Sequence, residues 1–247
     1  MTRRRAYFLM IVSAPILWFL ACKATGFPPF ILPPPPLVAR VFIEDGRDLL
    51  RHTSITAGEA MGGFALANLV GVSLAISFLY VSWLEDFLFP WLIVIRNVPF
   101  VVIGSILIIL FGDTLLLKVG IVSLVSFFVI VANINKGLRE TDPLLVDRMK
   151  VLNATRWQIF AKVQWPGSLP FYLAALEIGA PGSVMGAIIA EWYFPTKGLG
   201  YLILRSMTQY RADRTYAVTV ISFVLAITMF LGVKALENHL LGWQRGE

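Results

Sequence analysis

The residues of this chain that could do chemistry are ionisable side chains set inside apolar stretches: Arg96, Glu177 and Glu191, with Glu59 a further carboxylate. Charges in such settings face a cavity, a partner charge or a moving ion rather than lipid. Arg96 opens the run Arg96-Asn97-Val98-Pro99. It lies about nine residues into an apolar segment, roughly 13 Å at 1.5 Å per residue. Two readings stand side by side: Arg96 with Asn97 lines a pathway and favours an anion, or Arg96 forms a structural ion pair with Glu177. Around Glu177 and Glu191 the sequence Gly179-Ala180-Pro181-Gly182-Ser183 is rich in helix-weakening residues. In membranes such segments line a solute path or pack closely on a neighbour. Ser183 is the hydroxyl available there.

Catalytic and nucleotide-binding constellations are missing from the sequence. It has no Gly-x-x-x-x-Gly-Lys-Ser/Thr loop, no Gly-x-Ser-x-Gly, and no histidine pair on one helix face, since His52 and His239 stand far apart. Cys22 is the single cysteine, which excludes an internal disulfide framework and a cysteine metal cluster.

The elements that must position these residues follow from composition. Of 247 residues, 57% are hydrophobic and 15% charged, and the mean hydropathy is +0.76. A soluble domain has about 25% charged residues, so this is an all-α polytopic membrane protein. The net charge of +6 suits an anionic membrane surface. The basic residues are interleaved with long apolar runs, which speaks against nucleic acid. Six transmembrane helices are expected, over about 6–22, 54–80, 87–111, 117–134, 171–191 and 217–235. Arg3-Arg4-Arg5 precedes the first and places it as a retained helix with a cytoplasmic start. A short interfacial helix is expected over Leu37–Leu50, after the prolines Pro33–Pro36. Gly63, Ala67, Gly71 and Ala75 recur every fourth residue, a small-residue face for internal packing. Pro99 is expected to kink the third span. Phe111-Gly112-Asp113 reads as an external turn, and the tail from Glu237 to Glu247 as polar and cytoplasmic.

The loop 135–170 is the longest polar interruption. It carries Lys136, Arg139, Arg148, Lys150, Arg156 and Lys162, and the parity of spans places it inside, with both termini. Asp142 and Pro143 signal a helix start. Leu145, Met149 and Leu152 follow at i, i+4, i+7. Asn153 tolerates the left-handed conformation of a helix stop. Thr155 and Gln158 have capping-box spacing, and the second helix is expected to end near Trp165 because Pro166 follows. The stretch thus reads as two short helices joined by a tight turn.

This loop resembles the cytoplasmic signature of permease subunits of binding-protein-dependent ABC importers: E-A-A, three residues, G, nine residues, I-x-L-P. Asp147 stands for the Glu, Arg148 and Met149 for the alanines, Asn153 for the Gly, Val163 for the Ile and Trp165-Pro166 for Leu-Pro. Leu32-Pro33, Pro36-x-Val38, Arg96-Asn97-Val98-Pro99, Ala190-Glu191 and Gly198-Leu199-Gly200 are similar to pieces of the nitrate/sulfonate/taurine branch. The resemblance implies one permease domain of the type I importer fold, multi-pass in a bacterial inner membrane and not itself an enzyme. It implies a second permease copy, an extracytoplasmic binding protein, and separate ATPase subunits that carry ATP and Mg, with no cofactor bound by this chain. It assigns Asp147, Arg148, Met149, Lys150, Leu152, Asn153, Ala154, Thr155 and Trp157 to the ATPase contact, and Arg96, Asn97, Glu177, Ser183 and Glu191 to the pathway of a small anionic solute of the nitrate, sulfonate, taurine or bicarbonate class. The other reading of the residues is a gradient-driven transporter or channel using Glu59, Arg96, Glu177 and Glu191.

Overall fold

A computed structural model describes residues 3–241 apart from 113 and 194; the side chains of 3–12, 14, 100, 101 and 108 also lie outside the description. The expected arginine flank Arg3–Arg5, Asp113 of the external turn and the tail beyond 241 therefore fall wholly or partly outside it. The described chain is helical: α1 (Arg3–Thr25), α2 (Pro35–Glu44), α3 (Gly46–Tyr80), α4 (Ser82–Asn97), α5 (Phe100–Phe111), α6 (Leu115–Arg139), α7 (Pro143–Val151), α8 (Arg156–Ile159), α9 (Trp165–Tyr193), α10 (Leu199–Thr208) and α11 (Ala212–Leu240), with a π turn at Phe160–Gln164 between α8 and α9.

Glycines set the central packing. A methyl at Gly63 would stand 2.3 Å from Val122 Cγ1, and one at Gly71 2.9 Å from Ile130 Cγ2. The pairs rise together in number, so α3 and α6 run parallel at van der Waals contact. Ala67 and Ala75 complete the buried stripe. Gly186 faces Val125 and Gly179 faces Ser126, while Gly137 of α6 meets Phe171, which makes α9 antiparallel to α6. Close backbone approach is what small residues supply where lipid offers no hydrophobic drive. Gly63→Leu is expected to cost about 3 kcal/mol, the upper range for overpacking. Adding Val122→Ala should recover part of it, measured as melting temperature in detergent.

Four helical runs among the described residues are long and apolar enough to span a membrane: α3, α6, Arg156–Tyr193 and α11. The expected third span is not one kinked helix. It is two helices at 97° to one another. Val98, forced out of the helical region by the following proline, is extended at ψ 127°. The pair nonetheless carries the chain across. Glu85 at the start of α4 accepts from Asn135 at 2.9 Å and pairs with Arg139, both at the C-terminal end of α6. Gly104 of α5 lies against Tyr193 at the opposite end of α9. Because α3 and α6 are parallel, a return crossing between them is required. At that opposite end Trp18 of α1 stacks on Tyr216 of α11 with centroids 5.6 Å apart.

Two boundaries differ from the sequence reading. The helix expected over Leu37–Leu50 stops at Glu44, and α3 begins at once at Gly46 and runs 35 residues. Pro166 does not end a helix. Trp165 N–H donates to Phe160 O in a five-residue π turn, and α9 continues through Pro166, Pro170 and Pro181. The wider turn shifts the carbonyl that a proline ring would otherwise strike. The Gly179–Ser183 stretch is likewise uninterrupted helix, its small residues used for packing on α6.

Candidate functional site

The polar loop folds as its local signals dictate. Asp142 accepts from Leu144 N–H at 2.9 Å and Pro143 occupies the first helical position of α7. Asn153 takes φ +53°. Its N–H donates to Lys150 O at 2.9 Å, and Ala154 N–H donates to Met149 O at 3.0 Å, the two bonds of a Schellman stop. Thr155 then opens α8: Gln158 N–H donates to its hydroxyl at 3.3 Å, and Thr155 N–H donates to Gln158 Oε1 at 2.8 Å. Both sides of the turn are thereby fixed by hydrogen bonds rather than by neighbours.

What this turn presents is apolar. Val151 is 82% exposed, Leu152 75% and Trp157 66%. Asp147, Arg148, Lys150, Asn153 and Thr155 are exposed around them, and Met149 and Ala154 are half-buried. Asp147 pairs with Lys150 at 2.9 Å. A cluster of large apolar side chains on a polar loop is a surface awaiting a partner. Behind it aromatic rings run into the membrane domain: Trp157 on Phe160 (centroids 5.3 Å), Phe160 on Trp165 (6.0 Å), Trp165 on Tyr172 (5.9 Å). Tyr172 ends the chain by donating to Asn68 Oδ1 of α3 at 2.9 Å.

The pathway residues do not form one cluster. Arg96 is exposed and lies 4.7 Å above the Phe128 ring of α6, beside a cavity of about 220 Å³ lined mainly by Leu92, Ile95, Phe127 and Phe128. The Arg96–Glu177 ion pair is not formed. Glu177 takes Lys234 of α11 at 2.5 Å, and Lys234 is also paired with Glu237. Asn97 is exposed and donates to Ile93 O of its own helix at 2.7 Å. Ser183 is buried and donates to Ala180 O at 2.7 Å.

Glu191 is fully buried and works as a clasp. Thr56 hydroxyl and Gly200 N–H each donate to it at 2.6 Å. Leu199 N–H donates to Thr56 Oγ1 and Gly198 N–H to His52 Nδ1, both at 2.8 Å. Gly198 has φ +99°, open to glycine alone in practice. These bonds tie the segment before α10 onto α3 and α9. Gly198-Leu199-Gly200, a family-like fragment in the sequence, is held by Glu191 of the preceding helix and, through His52 and Thr56, by α3 far away in the chain.

Lys118 belongs to no motif in the sequence. It is buried in α6, with Nζ 3.9 Å from Glu59 Oε1 of α3, on the wall of a cavity of about 650 Å³. Among the described residues no group of three or more His, Cys, Asp or Glu is placed to hold a metal ion.

The described residues have the architecture of an all-helical membrane protein. Its fold is shared by the crystal structure of an amino acid ABC transporter with histidines, at TM-score 0.66 and 17% identity over 80% of this chain and 96% of that one. The inward-facing methionine ABC transporter MetNI gives 0.64 and 19%, over 78% and 94%. Residues 67–241 match the model of the binding-protein-dependent transport system inner membrane component, and the chain belongs to that family. It is 30% identical to the formylaminopyrimidine transport permease of Halalkalibacterium halodurans over 97% of its length and 94% of the relative's. A riboflavin transport system permease of Chloroflexus aurantiacus is 28% identical over 93% and 86%, and a putative aliphatic sulfonates transport permease of Bacillus subtilis 27% over 87% and 78%. The chain is the permease subunit of a binding-protein-dependent ABC importer, and not an enzyme; in such importers the ATPase activity resides in separate subunits.

Proposed function

We propose that this chain forms the translocation pathway for a small anionic solute of the nitrate, sulfonate, taurine or bicarbonate class across a bacterial inner membrane, paired with a second permease copy. The turn within 143–166 seats in an ATPase subunit, which binds ATP and Mg, while a binding protein delivers solute at the opposite end. This chain itself binds no cofactor. The observation that carries the reading is the rigid, apolar turn at Val151, Leu152 and Trp157, exposed on a polar loop and ringed by Arg148 and Lys150 for carboxylates of the partner. The sulfonate permeases among the relatives and the guanidinium of Arg96 support an acidic solute. A gradient-driven transporter would leave the apolar turn without a purpose.

The test is a pull-down of the tagged chain from gently solubilised native membrane. An ATPase at about one copy per permease is expected, the stoichiometry of paired subunits. A preparation free of ATPase that still moves solute into liposomes without ATP would end the reading.

A further inference from the structure

We propose that His52 is a proton-sensitive latch at the end of the molecule opposite the α7–α8 turn. As a neutral imidazole it holds the segment before α10 on α3, and a proton taken up from the medium on that side releases it. Helix α10 begins at Leu199 with no capping side chain of its own. Its first amides are satisfied from other helices instead: Leu199 N–H by Thr56 of α3 and Gly200 N–H by Glu191 of α9. Gly198 N–H, just ahead of them, donates to His52 Nδ1 at 2.8 Å. Of these three acceptors, the imidazole nitrogen alone stops accepting once protonated; a hydroxyl and a carboxyl keep a lone pair for the amide.

The geometry places the hydrogen of the ring. Because Nδ1 accepts, the imidazole carries its hydrogen on Nε2, which faces Asp48 Oδ1 at 3.4 Å. A second proton has only Nδ1 to go to, where it meets the Gly198 N–H head-on. The protonated ring thus keeps Asp48 and loses Gly198. Arg51 of α3, Arg205 of α10 and Arg214 of α11 lie within electrostatic reach of the ring, and Arg214 also pairs with Asp48. Tyr201 of α10 covers the ring, with centroids 5.4 Å apart. Glu191 stands one bond further off, behind Thr56. His52 is buried, but the Asp48 side chain is 40% exposed, so water reaches the edge of the latch.

The sign follows from the two states. Closed, Nδ1 holds no proton; open, it takes one as an ordinary imidazole does, near pH 6.5. Opening is therefore favoured as pH falls below that value, and the bond to Gly198 is fully present above it. Thr196 and Lys197, directly before Gly198, line the cavity of about 650 Å³ between α3 and α6. Release of the segment loosens that wall. Calling this side extracytoplasmic rests on the importer reading; the latch itself does not.

The test is hydrogen exchange at the Gly198–Gly200 amides of the full chain, with its copurifying subunits, in lipid nanodiscs. Rates are expressed as protection factors, so that the intrinsic pH dependence of exchange cancels. Protection is expected to fall about tenfold from about pH 7.5 to about pH 5.5, the linkage of one imidazole proton to one opening. His52→Asn sets a carbonyl oxygen near the place of Nδ1 and does not titrate. It should stay protected and vary by less than about twofold over the same interval. An effect carried by Asp48 or Glu191 persists in this variant. A flat wild type, or a variant that falls as steeply as wild type, overturns the proposal. A second measurement decides the case of an Asn variant unprotected throughout. The chain has two histidines, so isotope-labelled histidine NMR of the His239→Gln chain reports His52 alone. The Nε2-protonated tautomer is expected at about pH 7.5, turning to imidazolium over the interval in which protection is lost. An Nδ1-protonated tautomer, or a loss of protection that does not track the imidazolium, overturns the proposal as well.

Discussion

Asp147→Lys combined with Asn153→Leu is expected to leave the chain inserted in the membrane and to abolish recovery of the ATPase. The two changes act by different routes. Asn153 holds φ +53°, and a leucine forced there costs roughly 1–2 kcal/mol of backbone strain. The Schellman bonds from Asn153 and Ala154 then yield, and the angle between α7 and α8 is lost. Asp147 is an exposed residue paired with Lys150, a contact worth little to stability. Its replacement by lysine changes the local charge by two units where a partner must dock. Asn153→Gly, which keeps the left-handed conformation, should retain the ATPase and so separates backbone geometry from side-chain contact. Membrane insertion is checked by carbonate extraction. An undiminished ATPase in the double variant would sink the assignment of this turn.

Gly198→Ala is expected to be the most destabilising single-atom addition in the chain. A Cβ at Gly198 would fall 2.0 Å from Glu191 Cδ, and the backbone sits at φ +99°, ψ 176°, a region used essentially by glycine. Strain and overpacking together amount to about 4 kcal/mol, or roughly 8–16 °C in melting temperature for a chain of this size. Glu191→Ala should rank next, since it strands the Gly200 N–H in a buried place and leaves the Thr56 hydroxyl only the longer bond to His52 O. Glu191→Gln, which can still accept one of those bonds, should be mildest. Melting curves followed by tryptophan fluorescence in detergent give the order. A Gly198→Ala variant as stable as wild type would mean that the segment before α10 does not rest on Glu191.

Local grammar was legible in the sequence, and long-range partnership was not. Asp142, Asn153 and the Thr155–Gln158 box act within four residues of themselves, and each does in the structure what its type dictates. The stripe Gly63-Ala67-Gly71-Ala75 also declared its use, because small residues at that spacing serve close packing. Partner choice depends on the fold. The sequence offered Arg96 to Glu177, and the antiparallel placement of α11 on α9 supplies Lys234 in its place. Nothing local marks Lys118, and only the parallel run of α3 and α6 sets it against Glu59. Pro166 misled for a subtler reason. The rule that proline ends a helix assumes a four-residue hydrogen-bond ladder, and one five-residue turn removes the clash on which the rule depends.

That π turn has a consequence of its own. An extra residue within one turn advances everything beyond it by about 100° around the helix axis. The Phe160–Gln164 segment therefore fixes the rotational phase between the face of α8 that carries Trp157 and the face of α9 that carries Gly179 and Gly186. The chain indexes its water-facing turn to its membrane packing as two gears are indexed on one shaft. Lengthening or shortening this stretch by a single residue would leave both faces intact and point one of them in the wrong direction.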